Sequence, residues 1–373
     1  MTKVSTTHKA WTVPAQRTAP AREAAAGGAG AGAAAPPAGK PVAPTPGTTH
    51  DPGTPRATSL KDLIDAHLHM PFPFRSNPHE AEAAAGVDAW LHRWGLTAEP
   101  GVADMIVRTR PAQLASYNSP DVPPDILQIV ADQIAYQFVF DDRAEEVGRH
   151  GPERLLPMLS KSIAILRDGE PPLTPLGAAL TDLHQQVQRR CTPAQAARWA
   201  WNSREYVHGL LYEAVAQTRS APLRIGLCTS IRSLTAGVEP FYPLYEAAQP
   251  WELPAEEIHH PVMRRLRRLS VDAAVWTADL FSAVKEQRTG GVINLALAYH
   301  GAHRCTLPVA VTLAIRHINR TVHEFVELYT ATAPELSPAG MGYVDGMIGW
   351  IRGCYYWSRS VPRYADTAEV PAW

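Results

Sequence analysis

Two stretches patterned for long helices, residues 124–150 and 263–288, each run an apolar stripe into oxygen-bearing side chains on the same face. In the first, Ile134 and Phe138 lead to Asp141 within Phe140-Asp141-Asp142-Arg143-Ala144-Glu145-Glu146. In the second, Val271, Val275 and Ala278 lead to Ser282 in Asp279-Leu280-Phe281-Ser282-Ala283-Val284-Lys285-Glu286. Residues three and four apart share a helix face, so Asp141, Asp142 and Glu145 crowd one stripe, with Glu146 able to replace Glu145. Ser282 and Glu286 repeat the i, i+4 spacing, and Lys285 beside them is a point charge for phosphate. Crowded carboxylates repel one another until a hard cation such as Mg²⁺ relieves them and bridges to phosphate oxygens. One short acidic motif is usually a solvated face. Two of them, each at the end of an apolar stripe, describe a metal clamp for a diphosphate between facing helices.

The remaining pattern agrees with helices. Segments around 291–303, 307–331 and 341–359 repeat at helical period, with Gly- or Pro-containing turns such as Glu335-Leu336-Ser337-Pro338-Ala339-Gly340 between them. Alternating β-branched runs are scarce, so the expected fold is all-α: a single helical bundle with its site between facing helices. Before residue 59 the chain changes character. From Pro14 to Ser59 it is mainly Ala, Pro, Gly and Thr, and apart from Val42 it holds no large aliphatic or aromatic residue. Such a stretch buries too little apolar area to offset its ordering entropy. The organisation expected is a disordered tail over 1–58 and a helical catalytic domain over 59–373.

Hydrophobic residues make up 45% of the 373 and the net charge is −1, so the chain can bury a large core but has no electrostatic reason to seek nucleic acid. No run of eighteen apolar residues offers a membrane span, and the N-terminus lacks the order of a secretion signal, which makes a cytoplasmic location the expectation. Cys191, Cys228, Cys305 and Cys354 lack metal-type spacing and read as reduced thiols.

Taken together, the two motifs resemble those of the class I bacterial terpene synthases. Arg232 lies forty-six residues before Ala278, where the family places its diphosphate-sensing arginine, and Thr235, Ala236 and Gly237 follow where linker and effector residues belong. Arg363-Tyr364 looks like the family's late Arg-Tyr pair, and Pro71-Phe72-Pro73-Phe74-Arg75-Ser76-Asn77-Pro78 with Trp90 and Trp94-Gly95-Leu96 is similar to the usual start of its fold. The resemblance spans about 60 to 366. It implies a class I terpenoid synthase bundle in which Asp141, Asp142, Glu145, Ser282 and Glu286 hold three Mg²⁺, while Arg232, Lys285, Arg363 and Tyr364 grip an isoprenyl diphosphate. One position departs: the family pattern opens its second motif with asparagine, and this chain has Ala278 there. A methyl group cannot ligate a metal. Asp279, at i, i+3, i+7 with Ser282 and Glu286, is the side chain a modest rotation would bring into that place, and it is taken as the metal residue there; the alternative is that Asp279 pairs with a neighbouring arginine or lysine and the site lacks a ligand.

The chemistry implied is ionisation of an allylic diphosphate, with the negative charge of the leaving group stabilised by the cations and the carbocation kept from water in an apolar cavity. Aromatic faces suit a cation, and the candidates are Phe72, Phe74, Phe138, Trp276, Trp350 and Trp357. The fifteen-carbon farnesyl chain is the expected substrate; geranyl, 2-methylgeranyl and geranylgeranyl diphosphates use the same clamp. A non-catalytic prenyl diphosphate binder is the alternative that Ala278 motivates. Elongating prenyl synthases would carry two aspartate-rich motifs. Beyond substrate, the partners to weigh are a second copy of the chain, as a homodimer, and an encapsulin shell addressed through the tail, as on 2-methylisoborneol-type synthases. A competing signal, His67-Leu68-His69, looks like the strand-end zinc pair of amidohydrolases, but the chain after it is helical. His259-His260 reads as an exposed loop pair.

Overall fold

The computed structural model of the protein describes residues 59–219 and 223–372. The 1–58 segment assigned above to a tail lies outside the described residues. In chain order the α-helices are α1 (Leu60–His67), α2 (Glu80–Arg93), α3 (Val102–Thr109), α4 (Pro111–Asn118), α5 (Pro124–Gly148), α6 (Leu156–Asp168), α7 (Pro175–Arg190), α8 (Pro193–Gln217), α9 (Ile225–Thr235), α10 (Tyr242–Ala247), α11 (Ala255–Ile258), α12 (Pro261–Thr289), α13 (Leu295–His303), α14 (Leu307–Thr332) and α15 (Pro338–Ser360). A 3₁₀ segment, Pro362–Ala368, follows. Among the described residues no strand occurs; the one β-type contact is an isolated antiparallel bridge between Ser59 and Pro371. The all-α expectation is met.

Helix boundaries follow local chemistry. Ser59 and Thr192 open α1 and α8 with reciprocal capping boxes to Asp62 and Gln195. Gly290, at φ 80°, ends α12 in the left-handed conformation that glycine adopts without a Cβ clash. Two boundaries differ from the sequence reading. The turn expected over 335–340 is shorter, because Ser337 caps α15 through Gly340 and Pro338 occupies its first turn, where a missing N–H costs nothing. The helix expected from 291 begins at Leu295, capped by Asn294 through the Leu297 N–H at 3.1 Å. His67 ends a helix, not a strand, and both His67 and His69 are exposed. His259 and His260 are likewise exposed, in the turn before α12.

The central element is α12. From Ser270 to Thr277 every side chain is buried, as expected of a helix surrounded on all sides, and α14 and α15 pack along it. α15 in turn receives α4: a Cβ at Gly349 would run into the carbonyl oxygen of Asn118, and one at Gly353 into the Asn118 side-chain oxygen, so these two glycines set how close α4 comes. The 3₁₀ segment is fastened to α12. Thr367, buried, donates its hydroxyl to the carbonyl of Phe281 at 2.6 Å, and Arg288 pairs with Asp366 at 2.6 Å. Together these contacts bring the C-terminal ends of α5 and α12, the end of α8, and the segment carrying Arg363 around one opening.

Candidate active site

That opening is a cavity of ≈ 500 Å³. Asp141, Asp142 and Glu145 of α5 line it, with Lys285 and Glu286 of α12, Arg232 and Thr235 of α9, and Arg363. The two motifs therefore meet across one space. Arg363 spans them: its Nη2 lies 3.9 Å from Asp142 Oδ1 on the opposite wall. Glu146 points elsewhere, pairing with Arg143 at 2.6 Å on the exposed side of α5, so Glu145 is the carboxylate presented to the cavity. Glu145 itself is held by Arg149 at 2.7 Å.

Burial dominates the electrostatics. Loss of water pushes Asp141 up to about 7, with a hydrogen bond from Tyr206 pulling the other way and Glu213 adding repulsion. Glu286 is also pushed up to about 7, first by burial and then by the Asp279 carboxylate, despite Arg232 and Ser282. For Arg232, burial alone would lower its affinity for a proton, but Asp279, Glu286 and Glu213 outweigh it and hold the guanidinium charged. Lys285 is shifted down, by burial and then by Arg363. The cavity thus gathers carboxylate oxygens, the donor chemistry that suits a hard divalent cation, among the cationic groups Arg149, Arg232, Lys285 and Arg363. Among the described residues no three His, Cys, Asp or Glu side chains form a ready-made cage. The two acidic walls face each other with room between them, as a site completed by substrate oxygens requires.

Two predicted residues sit below the cavity wall instead of on it. Ser282 is 6% exposed, and its Oγ lies 3.2 Å from Asn294 Nδ2. Asp279 is 0% exposed: Arg232 Nε donates to its Oδ1 at 2.8 Å and the Leu295 N–H to its Oδ2 at 2.9 Å. It thus makes the arginine pair that its spacing left open as an alternative to metal ligation. Ala278 is half-buried. The linker positions lie where α9 breaks: Gly237 takes φ 63°, and Gln137 of α5 donates to its carbonyl at 2.9 Å.

Of the aromatic candidates, Phe138 and Trp357 stack at 5.9 Å one turn below Asp141, with Arg363 over the Phe138 ring at 5.7 Å and Tyr364 edge-on to Trp357 at 5.6 Å. Trp276 packs edge-on to His317, Trp350 against Phe241, and Phe72 against Phe325. Phe74 is exposed at 49%, between Tyr117 and Tyr356.

α8 supplies residues that the sequence reading missed. Tyr206 donates its hydroxyl to Asp141 Oδ1, while Leu210, Glu213 and Gln217, at spacings of four, three and four along the same face, line the cavity. No pattern in the sequence marks Glu213 for the site; burial shifts it up and Arg232 beside it pulls it down.

The sequence and the fold are similar to those of known proteins. Residues 132–324 match the family model described as terpene synthase family 2, C-terminal metal binding. The chain is 73% identical over 316 residues, covering 85% of it and 94% of the relative, to a (-)-alpha-amorphene synthase ((2E,6E)-farnesyl diphosphate cyclizing) of Streptomyces viridochromogenes. It belongs to the terpene synthase family. A (+)-T-muurolol synthase of Roseiflexus castenholzii is 29% identical, with 81% of this terpene synthase and 94% of that one aligned. Among solved structures, germacradien-4-ol synthase of Streptomyces citricolor superposes with a TM-score of 0.69 at 27% identity, covering 79% of this terpene synthase and 98% of that chain. The domain is one whose family description includes metal binding. Among its described residues no helix is long and apolar enough to cross a membrane.

Proposed function

We propose that this terpene synthase ionises farnesyl diphosphate in a Mg²⁺-dependent step and cyclises the resulting carbocation, releasing diphosphate. The observation that carries the reading is the single cavity lined by Asp141, Asp142 and Glu145 on one wall, Glu286 and Lys285 on the other, and Arg232 and Arg363 between. The farnesyl chain length is supported by the activity named for the 73% identical relative.

In this reading Asp141, Asp142 and Glu145 would hold metal from α5 and Glu286 from α12, with Ser282 joining them only if its hydroxyl turned out from Asn294 toward the cavity. Bound Mg²⁺, three ions by the resemblance, supplies Lewis-acid neutralisation of the diphosphate. Arg232, Lys285 and Arg363 take up the negative charge that grows on the departing oxygens as the carbon–oxygen bond breaks. Their placement before reaction is what makes them effective, since fixed charges need no reorganisation. Phe138 and Trp357, stacked on each other beneath Arg363, support that guanidinium through a cation–π contact worth ~0.5–2 kcal/mol. Tyr364, edge-on to Trp357, packs beside Arg363 at the rim of this group.

The test is incubation with geranyl, farnesyl and geranylgeranyl diphosphates, with and without Mg²⁺, and gas chromatography with mass spectrometry of the extract. A cyclic product from farnesyl diphosphate, present only with Mg²⁺ and lost in Asp142→Ala with helical circular dichroism unchanged, supports the proposal. Binding without turnover would favour a prenyl diphosphate binder, the reading that Ala278 motivates.

A further inference from the structure

Resting on that reading, we propose that Asp279 is a positioning residue for Arg232 rather than a metal ligand, and that the place left by Ala278 carries no protein ligand. Both carboxylate oxygens of Asp279 are committed. Oδ1 accepts from Arg232 Nε at 2.8 Å and Oδ2 from the Leu295 N–H at 2.9 Å, at the start of α13 where the helix dipole favours an anion. The backbone is fixed as well, since Asn294 Nδ2 donates to the Asp279 carbonyl at 2.8 Å and to Ser282 Oγ at 3.2 Å. Glu286, almost two full turns further along α12, flanks Arg232 from the same side of the helix, yet only Glu286 and Arg232 reach the cavity.

The point of attachment explains the arrangement. A guanidinium gripped at Nε is held from one side, leaving the two terminal nitrogens as a planar fork for phosphate oxygens. One of these, Nη1, lies 3.4 Å from Thr235 Oγ1, which limits rotation about the last bond. Asp279 is fully buried and lies off the cavity wall, so to ligate a metal in the cavity it would have to turn outward and release Arg232, the Leu295 N–H, or both. Each loss strands a buried charge or donor. Asp279 therefore aims the arginine, and Glu286 is the α12 carboxylate that faces the cavity beyond Ala278.

The discriminating experiment counts Mn²⁺ bound per chain by electron paramagnetic resonance at saturating inorganic diphosphate, alongside calorimetric titration of the diphosphate. Asp279→Asn, checked for folding by circular dichroism, is expected to keep the native Mn²⁺ count and to bind diphosphate roughly 10- to 100-fold more weakly, the range for losing a charge-assisted hydrogen-bond arrangement. Asp279→Asn combined with Arg232→Gln is expected to bind no more weakly than Arg232→Gln alone. A Mn²⁺ count lowered by Asp279→Asn, or native diphosphate affinity in that variant, would overturn the assignment. Ala278→Asn keeps every contact of Asp279 and serves if Asp279→Asn does not fold. Tighter Mn²⁺ binding is expected there, and unchanged binding would mean that a protein ligand already fills the place. A native chain that binds neither Mn²⁺ nor diphosphate would instead defeat the cyclase reading itself.

Discussion

Tyr206 donates its phenolic hydrogen to Oδ1 of Asp141, so the first carboxylate of the acidic motif is carried by α5 and steadied by α8. Removing that donor leaves Asp141 in a buried place with its acidity weakened further, since the hydrogen bond opposes the effect of burial. Tyr206→Phe should raise the Mg²⁺ concentration needed for half-maximal activity. The rise should be larger at pH 6.5 than at pH 8.5, because a proton competes with the metal for a carboxylate that titrates at about 7. Mg²⁺ titrations at the two pH values check this.

Asp132 offers a separate pH test, away from the cavity. It is 2% exposed on α5, accepts from Gln128 at 2.7 Å, and is pushed up to about 7 by burial, with Asp182 of α7 contributing. A carboxyl whose folded value exceeds its unfolded value of about 3.8 stabilises the fold below that lower value, and the contribution is lost as pH rises through about 7. Asp132→Asn should flatten the fall in melting temperature between pH 5 and pH 8. At pH 8 it should gain on the order of 1–4 kcal/mol over the native chain.

Gly353→Ala tests the α4–α15 contact. The added methyl would meet the Asn118 side chain at a helix crossing, and overpacking of this kind costs about 1–3 kcal/mol. Thermal unfolding is expected to show that loss, whereas Gly226→Ala, where a Cβ meets nothing and the residue lies within α9, should gain about 0.4–1 kcal/mol.

Arg363→Ala should separate binding from stability. Its contact with Asp142, at 3.9 Å and partly exposed, contributes little to folding, so the melting temperature should barely move. The value of kcat/KM should fall by about 10- to 100-fold if the guanidinium stabilises the departing charge.

The long helices were legible because their periodicity and their function coincide. In α5 and α12 the apolar stripe runs straight into the site, and the predicted spans lie within two residues of those observed. The joint convergence of Asp141, Asp142, Glu145, Lys285, Glu286, Arg232 and Arg363 on one cavity followed from spacing and resemblance together. Tyr206 and Glu213 were not legible, because a tyrosine and a glutamate on an amphipathic helix look like ordinary surface until tertiary packing turns that face inward. Asp279 shows the other limit. Helical spacing gave it an angle about the axis of α12, but the partners that occupy its oxygens come from α9 and α13, about which that spacing says nothing. Pro338 was read as punctuation when it is a first-turn residue, a distinction that only the Ser337 cap decides.

The hydroxyl of Thr367 bonded to the Phe281 carbonyl has a thermodynamic meaning for catalysis. Phe281 immediately precedes Ser282, so the segment bearing Arg363 is anchored within the second motif before any ligand arrives. The conformational entropy of ordering that backbone is then lost once, during folding, and is not charged against each binding event. Only the Arg363 side chain remains to be immobilised, a cost of ~0.5–1.5 kcal/mol compared with several times that for a whole loop.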